Sequence, residues 1–148
     1  MRILAALALT TAALALPTAA WAYGSDVGAY GCYLNGGQVT RPAGTEIVVR
    51  QGWIAAKRSQ TLDFIRAQQS TVSVNSGPEI DLSGDWTSPR PDAQGWRTDV
   101  FYPTGIVLGP GQSLTFHFVL SVKHPVFDGF TWGGPGTAVD STCTVTGA

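Results

Sequence analysis

The sequence has few charged residues, a single methionine and only two histidines, and each shortage excludes a type of site. Charged residues make up 13% of the chain and the formal net charge is −1, so no basic surface for nucleic acid is indicated. The only methionine is Met1, which removes thioether ligands for copper. His117 and His124 could share a metal only if the chain folds back between them. We therefore predict no metal site and no cofactor.

Catalytic motifs are also lacking. No serine lies in a G-x-S-x-G elbow, which is the local signature of one large class of hydrolases. A Ser/His/Asp triad or a catalytic carboxylate pair could still be assembled from distant segments, because such sites are recognised by their geometry and not by their order in the sequence. Glu79, Asp81 and Asp85 are either the solvated side of a strand or calcium ligands, although their spacing matches no EF-hand. We assign no catalytic residue.

The N-terminal residues predict export. Arg2 precedes an apolar run from Ile3 to Leu16, and a proline and Ala20-Trp21-Ala22 follow, as in a signal peptide. The run is shorter than the roughly 20 residues that span a bilayer, which favours cleavage over anchoring. We predict a signal peptide over residues 1–22 and one domain over residues 23–148. The mature protein is expected to be extracellular or periplasmic, with no membrane span.

The chain has two cysteines, Cys32 and Cys143. In an exported protein they are predicted to form a disulfide, and the alternative is a pair of free buried thiols. Closing a loop of about 110 residues contributes roughly 4–5 kcal/mol in the loop-entropy model. We expect the bond to join the first and last strands.

Short alternations of apolar and polar residues, separated by glycine and proline, predict an all-β domain. Ser113 to Val122 is the clearest, because its apolar residues recur at every second position. The preceding Gly109-Pro110-Gly111-Gln112 predicts a type II turn. Seven further strands are predicted at Tyr30–Leu34, Glu46–Ile54, Thr71–Asn75, Glu79–Leu82, Trp96–Tyr102, Ile106–Leu108 and Ser141–Thr146. A count of about 7–9 strands is typical of an immunoglobulin-like β-sandwich.

Three segments depart from this alternation. Ser59 to Gln69 has no glycine or proline, and it predicts one short helical crossover capped by Ser59 or Thr61. Trp86 to Gly95 and Lys123 to Asp140 predict long irregular loops, which are often functional in compact domains.

Aromatic and charged residues in these loops are the candidate binding residues. A tryptophan beside arginine or aspartate suits the stacking of a sugar or a contact at a protein interface. The alternative for each tryptophan is burial against the core. The candidates are Trp86, Arg90, Trp96, His124, Asp128 and Trp132.

The segment Ile106-Val107-Leu108-Gly109-Pro110-Gly111-Gln112-Ser113-Leu114-Thr115 resembles one that is common in bacterial immunoglobulin-like modules. There, an apolar strand, a Pro-Gly turn and a long alternating strand follow in this order. The resemblance implies a β-sandwich fold and no particular activity. The antibody-type pattern is absent, since no tyrosine lies two residues before Cys143.

These observations favour a secreted, non-catalytic binding or adhesion module whose ligand is a glycan or a protein. The first alternative is a small exported hydrolase, which predicts that His124, Asp128 and another acidic group converge in a cleft. The second is an envelope-associated structural subunit, which predicts an exposed apolar edge and self-association.

Overall fold

A computed structural model describes residues 26–28, 32, 36–103 and 105–148. The predicted signal peptide, residues 1–22, lies outside the described residues. The elements, in chain order, are β1 (Asp26–Gly28), β2 (Gln38–Arg41), β3 (Glu46–Ala55), α1 (Arg58–Ala67), β4 (Gln68–Val74), β5 (Ile80–Asp81), β6 (Arg90–Asp92), β7 (Gly95–Phe101), β8 (Ile106–Val107), β9 (Ser113–Val122), β10 (Val126–Phe127), β11 (Trp132–Gly133) and β12 (Gly136–Gly147).

The strands form two five-stranded sheets and one small hairpin. The first sheet has the order β1-β3-β7-β6, with β8 also paired to β3, and the second has the order β2-β12-β9-β4-β5. The β1–β3 and β2–β12 pairs are parallel. Strands β10 and β11 form an antiparallel pair of their own. The described chain is therefore mostly β with one short helix, in agreement with the predicted all-β class.

The long strands follow the predicted alternation closely. Strand β9 covers the predicted residues, and its side chains from Phe116 to Val122 alternate between buried and partly exposed. The N–H of Gln112 donates to the carbonyl of Gly109 over 3.1 Å, and Gly111 has a φ of 72°. This confirms a turn that needs a positive φ at its third position.

The two sheets share one hydrophobic core. The rings of Tyr102, just after β7, and Phe116 in β9 lie 5.8 Å apart and join the sheets. Helix α1 contributes Phe64, whose fully buried ring stacks on Trp53 at 4.3 Å and meets the edge of Trp86 at 5.0 Å. The helix is therefore held by aromatic packing against Trp53 of β3 and against Trp86, as a helix of this length requires.

The helix differs from its prediction at both ends. It begins after Lys57, whose backbone N–H donates to the Gln60 side chain over 2.9 Å, so neither predicted cap is used. Thr61 is buried and its hydroxyl donates to the carbonyl of Trp96. The helix ends before Gln68, which is extended and donates its side-chain amide to the carbonyl of Ser83. Residues 68 and 69 thus belong to β4.

The Cys32–Cys143 disulfide is confirmed, with a Cα–Cα distance of 5.7 Å and both residues buried. Cys32 is helical, so the predicted strand Tyr30–Leu34 is wrong at its described residue. The bond ties β12 to a helical residue ahead of β2, and it does not join two strands.

The prediction of an irregular stretch from Lys123 to Asp140 is wrong. This segment contains β10, β11 and the first part of β12. The start of β12 pairs with the end of β9, from Gly136 opposite Val122 onward, although its residues are mostly exposed. Exposed residues show no apolar alternation, which is why the sequence pattern missed this pairing. Strands β1, β2 and β6, of three or four residues each, were also not predicted from the sequence.

Candidate functional site

The six predicted binding residues fall into different environments. Trp86 is 8% exposed, its indole N–H donates to the Ser70 hydroxyl over 2.8 Å, and its ring packs on Phe64. A tryptophan whose ring and N–H are both satisfied internally offers no open face to a ligand. Trp86 is therefore a core residue, which is the alternative to ligand binding that the sequence left open for each tryptophan.

The β10–β11 pair and its connecting loop, residues 126–133, form an element that we call the aromatic hairpin. Phe127 pairs with Trp132 across it, and their rings stack at 5.0 Å with an interplanar angle of 27°. Trp132 is 71% exposed and Phe130, in the connecting loop, is 68% exposed. Two large aromatic side chains so exposed on one short element are typical of a contact surface.

Asp128 fixes the shape of this hairpin. Its Oδ1 accepts the backbone N–H groups of Phe130 and Thr131, each over 2.7 Å. Its Oδ2 accepts the Thr131 hydroxyl over 3.2 Å. A carboxylate bound to its own loop in this way forms an Asx-type turn. Asp128 thus holds Phe130 in place.

The hairpin is anchored where β3 ends and α1 begins. The N–H of Ala56 donates to the carbonyl of Asp128 over 2.6 Å. Gly129 has a φ of 98°, and a Cβ there would lie 2.3 Å from the Cβ of Ala56. Only glycine fits both the conformation and this contact. The loop is therefore held against the body of the protein.

Two more predicted residues lie beside β3 and α1. Trp96 in β7 pairs with Ala55, the last residue of β3, and is partly exposed. The Nε2 of His124 lies 3.5 Å from a carboxylate oxygen of Asp63 in α1, and both side chains are about half exposed. Trp96 and the aromatic hairpin thus both contact the junction of β3 and α1, while His124 lies beside the middle of α1.

The arrangement of acidic groups gives the hydrolase alternative little support. His124 lies beside Asp63, while the Asp128 carboxylate is bound to its own loop. Glu79 and Asp81 are exposed, and hydrogen bonds from the side chain and backbone of Ser83 lower the pKa of Asp81. Within the described ranges, no three histidine, cysteine or acidic side chains come together as metal ligands.

Arg90, the remaining predicted residue, belongs to a cluster that the sequence analysis missed. Arg50, Arg90 and Arg97 all contact the carboxylate of Asp99, and we call these four residues the arginine–aspartate cluster. The Nε and Nη2 groups of Arg97 donate hydrogen bonds to the Asp99 carboxylate over 2.8–2.9 Å, and the Nη1 group of Arg50 donates to the same carboxylate over 2.8 Å. Arg90 donates Nη2 to the other carboxylate oxygen and contacts the Thr87 hydroxyl through Nη1.

The Asp99 side chain is completely buried beneath these arginines. Burial alone would raise the pKa of Asp99, but hydrogen bonds from Arg97 and the charges of Arg97, Arg50 and Arg90 outweigh it. The pKa of Asp99 is therefore lowered and the carboxylate is ionised at neutral pH. The arrangement presents guanidinium groups that are held in place by an ionised carboxylate.

The alternation in β7 could have suggested this cluster. Arg97 and Asp99 are two residues apart, so they share one face of the strand, opposite to Thr98 and Val100. The contribution of Arg50 and Arg90 comes from the pairing of β7 with β3 and β6, which no local pattern predicts.

No family model matches this chain, and comparisons with curated proteins and with solved structures find no similar protein. Among the helices of the described residues, none is long and apolar enough to cross a membrane.

Proposed function

We propose that this protein is an exported, non-catalytic binding module with an immunoglobulin-like β-sandwich fold, and that its aromatic hairpin recognises a glycan. The observation that carries the proposal is the exposure of Trp132 and Phe130 on a hairpin whose backbone is fixed by hydrogen bonds to the Asp128 carboxylate and to Ala56. Because the loop is already ordered, binding needs little further loss of conformational entropy.

The shape of the hairpin suits a sugar ring. Phe127 covers one face of the Trp132 indole, while the side chain stays 71% exposed. The opposite face is thus open for the C–H groups of a pyranose, in the way that aromatic side chains bind flat apolar surfaces.

The small extent of this surface favours a glycan over a protein. A stable protein interface buries about 800 Å² on each partner. The exposed apolar part of the hairpin consists of two side chains separated by Thr131, which matches one or two sugar rings better than a protein face.

The disulfide supports the exported location. Disulfides persist in oxidising compartments and are rare in the cytosol, and Cys32–Cys143 is formed and buried. A periplasmic or extracellular location agrees with this chemistry and with the signal peptide predicted from residues 1–22.

The proposal is tested by screening the purified domain on a glycan array and comparing Trp132→Ala with a matched control. Val107→Ala is the control, since Val107 is 61% exposed and lies in β8, which pairs with the opposite end of β3. We expect Trp132→Ala to weaken glycan binding at least about 10-fold, with unfolding free energy unchanged within about 0.5 kcal/mol. Val107→Ala should bind like the wild type.

Three results would count against the proposal. Equal binding by Trp132→Ala and the wild type would remove the hairpin as the site. Absence of any glycan ligand, together with a protein partner lost in Trp132→Ala, would replace the glycan by a protein. An oligomer in light scattering that Trp132→Ala converts to monomers would support the structural subunit instead.

A further inference from the structure

The arginine–aspartate cluster lies on the outer face of the first sheet. In β3, Val49 and Gln51 are buried towards the core, so Arg50 and Gly52 point the other way. Gly52 pairs with Asp99 in β7, and Arg90 in β6 pairs with Arg97. The three arginine side chains thus meet over the buried Asp99 carboxylate on this face of the sheet.

The absence of a side chain at Gly52 makes room for this arrangement. A Cβ at that position would lie 2.8 Å from both Nη2 of Arg97 and Oδ1 of Asp99, closer than real Cβ contacts allow. Asp99 and Arg97 can therefore lie flat across β3.

The cluster brings like charges together. Of the nine lysines and arginines in the chain, three contact Asp99, and one of them, Arg97, also lies 4.0 Å from a carboxylate oxygen of Asp92. Guanidinium groups that share one carboxylate lie close to one another and repel. An anion held by Arg90, the most exposed of the three, would add a further negative charge beside these groups and reduce their repulsion. Such an assembly is organised in advance for an anion, because Asp99 already fixes the arginine side chains.

Arg90 is the residue that can reach a ligand most directly. Its side chain is 49% exposed, whereas Arg50 and Arg97 are 15% and 19% exposed. It contacts Asp99 through Nη2 and Thr87 through Nη1, while a guanidinium carries five N–H donors in a planar fork. The fork can therefore donate to a second oxyanion without leaving Asp99. Phe101, on the same face opposite Arg50 and 37% exposed, offers an apolar neighbour.

We infer that this outer face is an oxyanion-binding site, in which Arg90, supported by Arg50 and Arg97, binds a carboxylate, sulfate or phosphate group. Asp99 acts as the positioning residue that holds the guanidinium groups. The site is separate from the aromatic hairpin and does not depend on the proposed glycan recognition.

The experiment titrates the purified domain with sodium sulfate, inorganic phosphate and sodium glucuronate by calorimetry, at constant ionic strength set with chloride. Saturable binding is expected with at least one of the three, and their order of affinity separates a sulfate, a phosphate and a carboxylate ligand. Arg90→Gln should weaken that binding at least about 5-fold, since charge-assisted hydrogen bonds are the strong ones in anion recognition.

Arg58→Gln is the matched control, because Arg58 is an exposed arginine at the start of α1 and the change in net charge is the same. It should bind like the wild type, and so should Trp132→Ala, which separates this site from the hairpin. Arg90→Lys keeps the positive charge but loses the planar fork of N–H donors, so it should also bind the anion more weakly than the wild type. It replaces Arg90→Gln in the experiment if that variant does not fold. The inference is overturned if no anion binds saturably, if both Arg90 variants bind normally, or if Arg58→Gln weakens binding equally.

Discussion

Replacement of Asp99 by asparagine removes the carboxylate that three arginines share, while keeping the size of the side chain. Asp99 is completely buried, and breaking a buried ion pair by removing one partner costs about 3–5 kcal/mol. Because Arg90 is half exposed, water can solvate its charge once the carboxylate is gone. We therefore expect the loss of unfolding free energy to lie at the lower end of this range, about 3 kcal/mol. For a domain of this size that lowers Tm by roughly 10 °C. Urea unfolding followed by tryptophan fluorescence measures the change.

The effect of Asp99→Asn should depend on pH in a defined direction. The pKa of Asp99 is lowered in the folded protein, whereas in the unfolded chain it is close to about 3.9. The stabilisation is therefore fully present above about pH 4 and is lost as the pH falls through the folded value. The stability gap between wild type and Asp99→Asn should be equal at pH 7 and pH 5 and smaller at pH 3.

Asp85→Asn provides the control for this experiment. Asp85 is exposed, so its replacement should change the free energy of unfolding by no more than about 0.5 kcal/mol. Asp99 does not stabilise the fold through its charge if Asp99→Asn is as stable as Asp85→Asn at pH 7, or if the stability gap between Asp99→Asn and the wild type does not shrink on acidification.

Two further substitutions test the packing. Gly52→Ala should destabilise the fold by about 1–3 kcal/mol through overpacking against Arg97 and Asp99, whereas Gly84→Ala, where a Cβ meets nothing within 4 Å, should be nearly neutral in the same thermal melts. Replacing both Cys32 and Cys143 by alanine should lower the free energy of unfolding by about 4–5 kcal/mol. Equal urea midpoints for the oxidised wild type and the double variant would contradict the loop-entropy account.

The parts of the fold that depend on local pattern were predictable from the sequence. Strand β9 buries alternate side chains from Phe116 to Val122, and its apolar residues recur at every second position from Leu114, so period two alone identifies it. The disulfide followed from the count of cysteines. The sheet order was not predictable, because the parallel pairs β1–β3 and β2–β12 join segments whose sequences carry no sign of their partner.

The candidate site was only partly predictable. Trp86 and Trp132 lie in similar glycine- and proline-rich surroundings, and only the partners Ser70 and Phe64 decide that Trp86 is buried. The Asp128-Gly129 pair between apolar residues is a hairpin signal, and it could have located the aromatic hairpin. The burial of Asp99 was not predictable, since nothing local indicates that arginines from two other strands contact it.

The parallel pairing of β2 with β12 bears on the order in which the protein folds. Cys32 and Cys143 are 111 residues apart, so the neighbouring β2 can dock only after most of the chain has been brought together. Strands β9 and β12, which follow one another closely in sequence and pair antiparallel, need far less loop closure. We expect β9 and β12 to form the early scaffold and β2 to join it late, and a topology so rich in distant pairings places folding in the millisecond-to-second range.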